Sequence, residues 1–460
     1  MPIKKYIGVA RMKIKYIKAY PLSSPRPDII SDRPDHYLPY WKELAKAGVR
    51  SKYYMVLVEV GTDDGIVGWG ESIVREVPTA HVEIINELLA PIIIGEDPLA
   101  IEDLWQRMFA SLKTRGHFGG FFLEALSGID IALWDIFGKY HSQPVYRLLG
   151  GPTRDKIKAY ASSIFWTCIN KSNFQCVIKE IERLISQGFN QVKLKIGMEK
   201  MGLGKELDKL LIKAIRDNIG YDIDIMVDAN SAYTIGEALK IGKILERYEV
   251  LWFEEPLPLS NIEGYSELRK KLGVMIAGGE SLFSKYDFNK FIKKSALDVA
   301  QPDISRCGGI TEFKKIAAIC EANGILIAPH IGLSGPGCRA ATLHISAALP
   351  RDVFMTYEYM YKNNYKILVT FARKGDALIN HIIKDMDPPT RNALNQIREI
   401  IKERLKDLSL YSPCPDTIIG TGGTITSVSA ILYGIDIKDI SPSKMNGLLI
   451  QSHSVCRLFK

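Results

Sequence analysis

Three runs decide the fold: Gln191-Val-Lys193-Leu-Lys195-Ile196, Ile223-Asp-Ile-Met-Val227-Asp228 and Val250-Leu-Trp-Phe253-Glu254. Each is a short stretch of strand-forming residues that carries an ionisable side chain at or near its C-terminal end. Between them, Leu207–Asn218 and Gly236–Arg247 place apolar residues at helical spacing. Working outward, the same rhythm takes in Ile157–Ile164 upstream and Val274–Ala277, Leu297–Ala300, Ile325–Ala328 and Val353–Tyr357 downstream. Eight strands alternating with helices over about 200 residues predict a closed parallel barrel. A doubly wound open sheet shares this alternation and is the competing architecture.

The flanks read differently. Met12–Ala19 alternates apolar and basic residues as a strand would. Tyr53–Val60 and Ile66–Gly70 are two more strands, joined by the tight turn Gly61-Thr-Asp-Asp-Gly65. The polar, proline-containing stretch 21–51 between the first two strands is long enough to read as a functional lid or a disordered segment. Helices are expected at about 80–94 and 100–113. After Tyr361 the rhythm stops. A helical stretch follows Pro388-Pro389 as far as Leu405, and Gly420-Thr-Gly-Gly-Thr424 forms a small-residue loop.

Composition narrows the class. The chain has 460 residues, 60 basic against 52 acidic side chains, a net charge of +8 and 47% hydrophobic residues. That balance belongs to a core-forming chain and excludes wholesale disorder. Lys and Arg form no dense run, which argues against a nucleic-acid partner, while a mild positive excess suits an anionic small molecule. No run of about 18 uncharged apolar residues predicts a membrane span. The start Met1-Pro-Ile-Lys4-Lys5 lacks the apolar core of a secretory signal. The seven cysteines are odd in number and form no CxxC pair. A disulfide framework or zinc cluster is therefore not expected, and the composition fits a reducing cytoplasm.

The strand ends carry the chemistry. Reading to the end of each run, or a residue or two past it, gives Lys193 and Lys195, then Asp228, Glu254, Glu280, Asp303, His330 and Glu358, spaced by one strand–helix unit each. In a barrel those ends converge on a single mouth. Charged groups converge only when they are paired or bound to an ion. Asp228, Glu254 and Glu280 form an all-oxygen set suited to Mg²⁺, with Mn²⁺ as the alternative ion. Asp303 can hold His330 in one tautomer. Lys193 and Lys195 face the same side of their strand, so each raises the cost of charging the other and both favour a bound carboxylate. This layout suits removal of a weakly acidic proton next to a carboxylate, with Lys195 and His330 on opposite sides of the ion. Individually, the blander readings stand beside these. The two lysines could be exposed on an edge strand, His330 a core histidine, Glu358 a surface ion-pair partner and Asn230 a helix cap. Glu255 points away from Glu254 and reads as support.

These residues carry a family resemblance. Ala125-Leu-Ser-Gly-Ile-Asp130-Ile-Ala-Leu-Trp-Asp135-Ile-Phe-Gly-Lys139 with Pro144–Gly151, Lys193-Leu-Lys195, Val227-Asp228-Ala-Asn230, Glu254-Glu-Pro256, Gly279-Glu280-Ser, Gln301-Pro-Asp303 with Gly308-Gly309, and Pro329-His330 follow one another in order. The chain resembles the mandelate racemase/muconate lactonizing enzyme group of the enolase superfamily over about residues 12–360. The resemblance implies an α/β architecture: a modified TIM barrel, (β/α)₇β, over 151–364, with an α+β capping domain over 1–150. It implies Mg²⁺ on Asp228, Glu254 and Glu280, Lys195 as base on one face, and the His330–Asp303 dyad on the other. Lys193, Asn230, His330 and Glu358 would contact the substrate, Glu358 through a carboxylate or enediolate oxygen. The implied activity is dehydration of a sugar acid, gluconate or galactonate first, to a 2-keto-3-deoxy acid. A racemase or epimerase using the same two bases is the nearest rival, and a cycloisomerase would leave the dyad without a task. Some sugar-acid dehydratases carry a His two residues after the first metal Asp; here that position is Asn230, which disfavours that subclass. Family members often assemble as homo-oligomers. The C-terminal segment 365–460 departs from the pattern. Asp385–Pro389 and Ile419–Thr424 resemble part of an exopolyphosphatase/guanosine-pentaphosphate phosphatase domain, whose glycine-rich loop holds phosphate through backbone N–H groups. On that reading the tail is an atypical extension. A catalytically impaired fusion, whose tail binds phosphate or a partner, is the third possibility.

Overall fold

The computed structural model describes residues 12–25, 52–164, 173–198, 206–332 and 334–360, together with 417–418 and 450–451. The chain divides into two units, Met1–Lys362 and Asn363–Lys460. In the first, β1 (Ile14–Pro25), β2 (Lys52–Thr62) and β3 (Val67–Val74) form an antiparallel sheet in that order. The strands are longer than their apolar cores. β1 runs to Pro25, so residues 21–25 of the expected lid are strand, and 26–51 lie outside the described residues. Two prolines are tolerated there because, among the described residues, β1 is an edge strand that pairs with β2 alone.

Helices follow: α1 (Pro78–Glu83), a π-helical turn (Ile84–Leu89), α2 (Ala90–Ile93), α3 (Ile101–Lys113), α4 (Phe121–Tyr140) and α5 (Val145–Leu148). The helix expected at 80–94 is thus interrupted by the π turn. Most of α4 is buried around its circumference because it is sandwiched. One side lies on β3, where Gly68 and Gly70 let the helix backbone come close. The other side meets the next part of the chain.

From Ala159 strands and helices alternate. They are β4 (Ala159–Ile164), α6 (Gln175–Ser186), β5 (Gln191–Lys195), α7 (Leu207–Ile219), β6 (Asp224–Asp228), α8 (Ile235–Arg247), β7 (Trp252–Glu254), α9 (Ile262–Lys271), β8 (Met275–Gly278), α10 (Ser284–Lys293), β9 (Val299–Ala300), α11 (Gly309–Ala322), β10 (Leu326–Ile327), α12 (Pro336–Ala348) and β11 (Tyr357–Met360). All eight strands are parallel, in the order β10-β9-β8-β7-β6-β5-β4-β11. The two ends of that sheet meet. Ile327 bridges Phe354, its N–H donates to the Val353 carbonyl, and its own carbonyl accepts from Met355 N–H, both at 2.8 Å. The sheet is therefore a barrel and not the open alternative. The expected eighth strand, Val353–Tyr357, is displaced: its apolar start makes the closing bridge, and the strand begins at Tyr357. Local signals set the helix starts, as at α8, where Thr234 and Glu237 cap each other's backbone N–H.

The barrel interior is layered. Tyr160, Met226, Trp252, Ala277, Val299 and Ala328 form an apolar floor, separate from the larger core between strands and helices. Successive inward positions are two residues apart. The next inward layer therefore holds Ser162, Asp228, Glu254, Gln301 and His330 at the C-terminal ends of the strands. β3, α3 and α4 dock beside this mouth. Trp105 Nε1 donates to Gly308 O at 2.7 Å and Trp134 Nε1 to Thr311 Oγ1 at 2.9 Å. Glu71 of β3 accepts backbone N–H groups of Gly335 and Gly337 at the N-terminus of α12, where the helix dipole favours a carboxylate.

In the second unit, Thr417–Ile418 (β12) pairs antiparallel with Ile450–Gln451 (β13). The expected helix after Pro388 and the Gly420–Thr424 loop lie outside the described residues. Among the described cysteines, Cys307, Cys320 and Cys338 are free and buried, whereas Cys176 is disulfide-bonded. One disulfide-bonded cysteine is not the disulfide framework that the sequence argued against. Among the described residues, no helix is long and apolar enough to cross a membrane.

Candidate active site and metal centre

β5 lies between β4 and β6, so its lysines are not on an edge. Lys193 is 3% exposed; its Nζ lies 2.7 Å from Glu254 Oε1 and 3.1 Å from Glu358 Oε1, over the Tyr160 ring. Burial opposes its charge, but Glu254 and Glu358 outweigh burial and hold its pKa well above the usual lysine value. Lys193 is a fixed cation. Lys195, one turn of the pleat further on, donates to Asp228 and, at 2.7 Å, to Asn230 Oδ1. Asn230 takes a left-handed conformation (φ 41°) that aims its N–H back at Asp228 Oδ1, 2.8 Å away.

Asp228, Glu254 and Glu280 come together: each offers a carboxylate oxygen, and these oxygens all lie within 4.8 Å of one another. Asp228 and Glu254 are fully buried. The second oxygen of Glu254 accepts from Gln301 Nε2 at 2.6 Å and Trp252 Nε1 at 3.1 Å. Burial raises the Glu254 pKa; Lys193 opposes this, Asp228 adds to it, and the result is about 7. Glu255 is raised well above the carboxylate range, by burial and then by Glu280, Asp228 and Glu254. Each carboxylate also faces a cation: Lys195 at Asp228, Lys193 at Glu254 and His330 at Glu280. Burial would raise Glu280, but His330, Lys195 and Arg75 hold it well below the usual carboxylate range. The feature that matches a hard divalent cation is the converging all-oxygen donor set.

His330 closes the other side. Its Nδ1 lies 2.8 Å from Asp303 Oδ2, and Asp303 is itself fixed by the N–H and hydroxyl of Ser305. Nε2 is 3.1 Å from Glu280 Oε2 and 3.9 Å from Glu358 Oε2. Burial alone would lower the His330 pKa. Glu280 and Glu358, with the bonds to Asp303 and Glu280, overcome this and raise it to about 10. Glu358 accepts from Ser162 Oγ at 2.7 Å and from Ile331 N–H at 2.8 Å. Burial would raise Glu358, but Lys193, His330 and these donors hold it well below the usual carboxylate range.

All eight expected strand-end residues, and Asn230, thus lie around one mouth. Sequence reasoning did not single out Gln301, Trp252, Ser162 and Tyr160, which hold or line the charged layer. The inward period of two could have found them, since each sits in register with a residue already chosen.

Family models match both parts: the mandelate racemase/muconate lactonizing enzyme N-terminal domain over 39–150, and the enolase C-terminal domain-like family over 177–377. A D-galactonate dehydratase of Cronobacter sakazakii is 36% identical over 70% of this chain and 83% of its own length. The chain belongs to the mandelate racemase/muconate lactonizing enzyme group of the enolase superfamily. A D-galactarolactone cycloisomerase of Agrobacterium fabrum is also 36% identical, over 65% of this chain and 76% of that protein. A racemase from Streptomyces coelicolor A3(2), solved with bound magnesium, superposes with a TM-score of 0.64 at 27% identity, covering 75% of this chain and 89% of its own. Within this superfamily, then, similarity reaches a dehydratase, a cycloisomerase and a racemase, and identity to the first two does not separate them.

Proposed function

We propose that the protein is a Mg²⁺-dependent hydro-lyase that removes water from a sugar acid, an aldonate, to give a 2-keto-3-deoxy acid. The observation that carries this reading is the placement of Lys195 and His330 at the two ends of the Asp228–Glu254–Glu280 cluster. A divalent ion held by these three carboxylates would supply positive charge to the substrate carboxylate and so acidify its α-proton. Lys193, held as a cation, orients that carboxylate and offsets the charge that builds up on its oxygens. One of Lys195 and His330 takes the C2 proton, and the C2–H electron pair forms the C1–C2 double bond of an enediolate. The other donates a proton to the 3-hydroxyl as the C3–O bond breaks, and water leaves. The enol formed tautomerises to the ketone, with no net oxidation or reduction. Asp303 keeps the His330 ring in place throughout. The substrate's configuration at C2 decides which residue is base.

Relatives named galactonate and arabinonate dehydratase support the substrate class. Two groups on opposite sides also support a racemase or epimerase, which would return the proton to C2. The cycloisomerase relative keeps that reaction as a third outcome. The test is a screen for 2-keto-3-deoxy acid across aldonates, gluconate and galactonate included, with Mg²⁺. A keto product supports the lyase. A C2 epimer or a rearranged lactone, with no keto product, replaces it by one of the other two.

A further inference from the structure

Two of the cluster carboxylates are set by the sheet. Asp228 and Glu254 are the last residues of β6 and β7, and ladder pairing with β5, with each other and with β8 fixes their backbones. Glu280 is not. β8 ends at Gly278, and the inward position two beyond the floor residue Ala277 is Gly279, which has no side chain. Gly279, at φ 122°, turns the chain off the sheet before Glu280 is reached. A tether other than the ladder must hold this residue.

Arg306 supplies it. Its Nη1 donates to the Glu280 carbonyl at 3.3 Å and to Ser281 Oγ at 3.2 Å. Its Nε donates to Glu124 Oε1 at 2.8 Å. Glu124 belongs to α4 of the capping domain, is 3% exposed, and its other oxygen is 2.9 Å from Nε2 of the fully buried His81 on α1. Phe283 packs against the guanidinium, 5.4 Å from its ring centre. The planar fork of Arg306 thus joins the Glu280 main chain to a buried cap carboxylate.

We propose that Arg306 is a positioning residue for Glu280, anchored by Glu124 and His81, so that the packing of the capping domain sets divalent-cation affinity. The proposal rests on the metal reading of Asp228, Glu254 and Glu280. Residues that orient metal ligands typically change affinity by roughly 10–100-fold when replaced.

The test is Mn²⁺ titration, followed by the loss of the free-ion electron paramagnetic resonance signal, on the full chain and on Arg306→Met, Arg306→Lys and Glu124→Gln. Thermal unfolding in chelator accompanies each titration. R306M should bind Mn²⁺ at least about tenfold more weakly. R306K, which keeps the charge and loses the fork, should fall between. E124Q, which touches none of the three carboxylates, should still weaken binding several-fold, roughly. E124Q and R306K should remain folded in chelator at the titration temperature, which separates positioning from a merely structural role. Wild-type Mn²⁺ affinity in R306M overturns the proposal; if R306M does not fold, wild-type affinity in E124Q does so. A wild-type chain that binds no Mn²⁺ overturns the metal reading itself, a result distinct from either.

Discussion

Lys193 and Lys195 lie two residues apart on one face of β5, yet their surroundings give them different work. Lys193 is enclosed between Glu254 and Glu358, whereas Lys195 is 17% exposed and reaches Asp228 and Asn230. Replacing Lys193 by Met leaves two buried carboxylates without their cation. That loss should cost about 3–5 kcal/mol in urea unfolding, because breaking a buried pair leaves an uncompensated charge. Lys195→Met should cost clearly less, and equal losses would contradict the division of roles. Asp130 makes a second residue-level case. One oxygen accepts from Thr311 N–H and the other has no partner, and burial raises its pKa from 3.8 to about 7. A carboxyl with a folded pKa above its unfolded value destabilises the fold once the unfolded chain would ionise it. Stability is therefore lost as pH rises from about 4 to 7, by up to about 4 kcal/mol for this group. Asp130→Asn should flatten that part of the stability–pH curve; a wild-type slope in the variant would remove Asp130 as its source.

At the scale of elements, α4 lies backbone-close on β3. A Cβ on Gly70 would overlap the Gly128 carbonyl oxygen, and one on Gly68 would overlap that of Ala132. Gly70→Ala should push the helix off the sheet and cost about 1–3 kcal/mol or more in chemical unfolding. A neutral effect would mean that the two elements are not in contact. This scale also separates what the sequence disclosed from what it hid. The barrel strands were legible because a run buried on both faces is apolar and bounded, and the strand-end charges because they recur once per strand–helix unit. The eighth strand was misplaced because Val353-Phe354 is apolar for a different reason: it closes the barrel beside Ile327. β1 ran past its alternating core because edge pairing tolerates prolines that end an interior strand. Arg306 stayed hidden because its anchor, Glu124, is 182 residues away in sequence. Spacing within one βα unit carries no trace of such a contact.

For the whole molecule, the cation cluster links ligand to stability. Two fully buried carboxylates converge with a third at the barrel mouth, so a divalent ion that binds only the folded state should stabilise it. At a hundredfold excess over its dissociation constant, the gain is about 2.7 kcal/mol. Mg²⁺ should raise the unfolding temperature of the wild type and not that of Glu254→Gln, measured by calorimetry with and without chelator. An equal rise in both would refute the cluster as the site. The same mouth gathers the two groups proposed to move protons, Lys195 from β5 and His330 just beyond β10, on opposite sides of the cluster.

The measurement that tests this arrangement most directly is proton NMR in D₂O, with Mg²⁺ and an aldonate that the wild type turns over. It follows the C2 proton and the keto-deoxy product together in the wild type, Lys195→Ala and His330→Ala. Both variants should lose product formation by roughly 10²-fold or more. Both should bind Mg²⁺ as the wild type does, and the one lacking the base should also lose C2 exchange. Wild-type turnover in either variant would contradict the two-sided site.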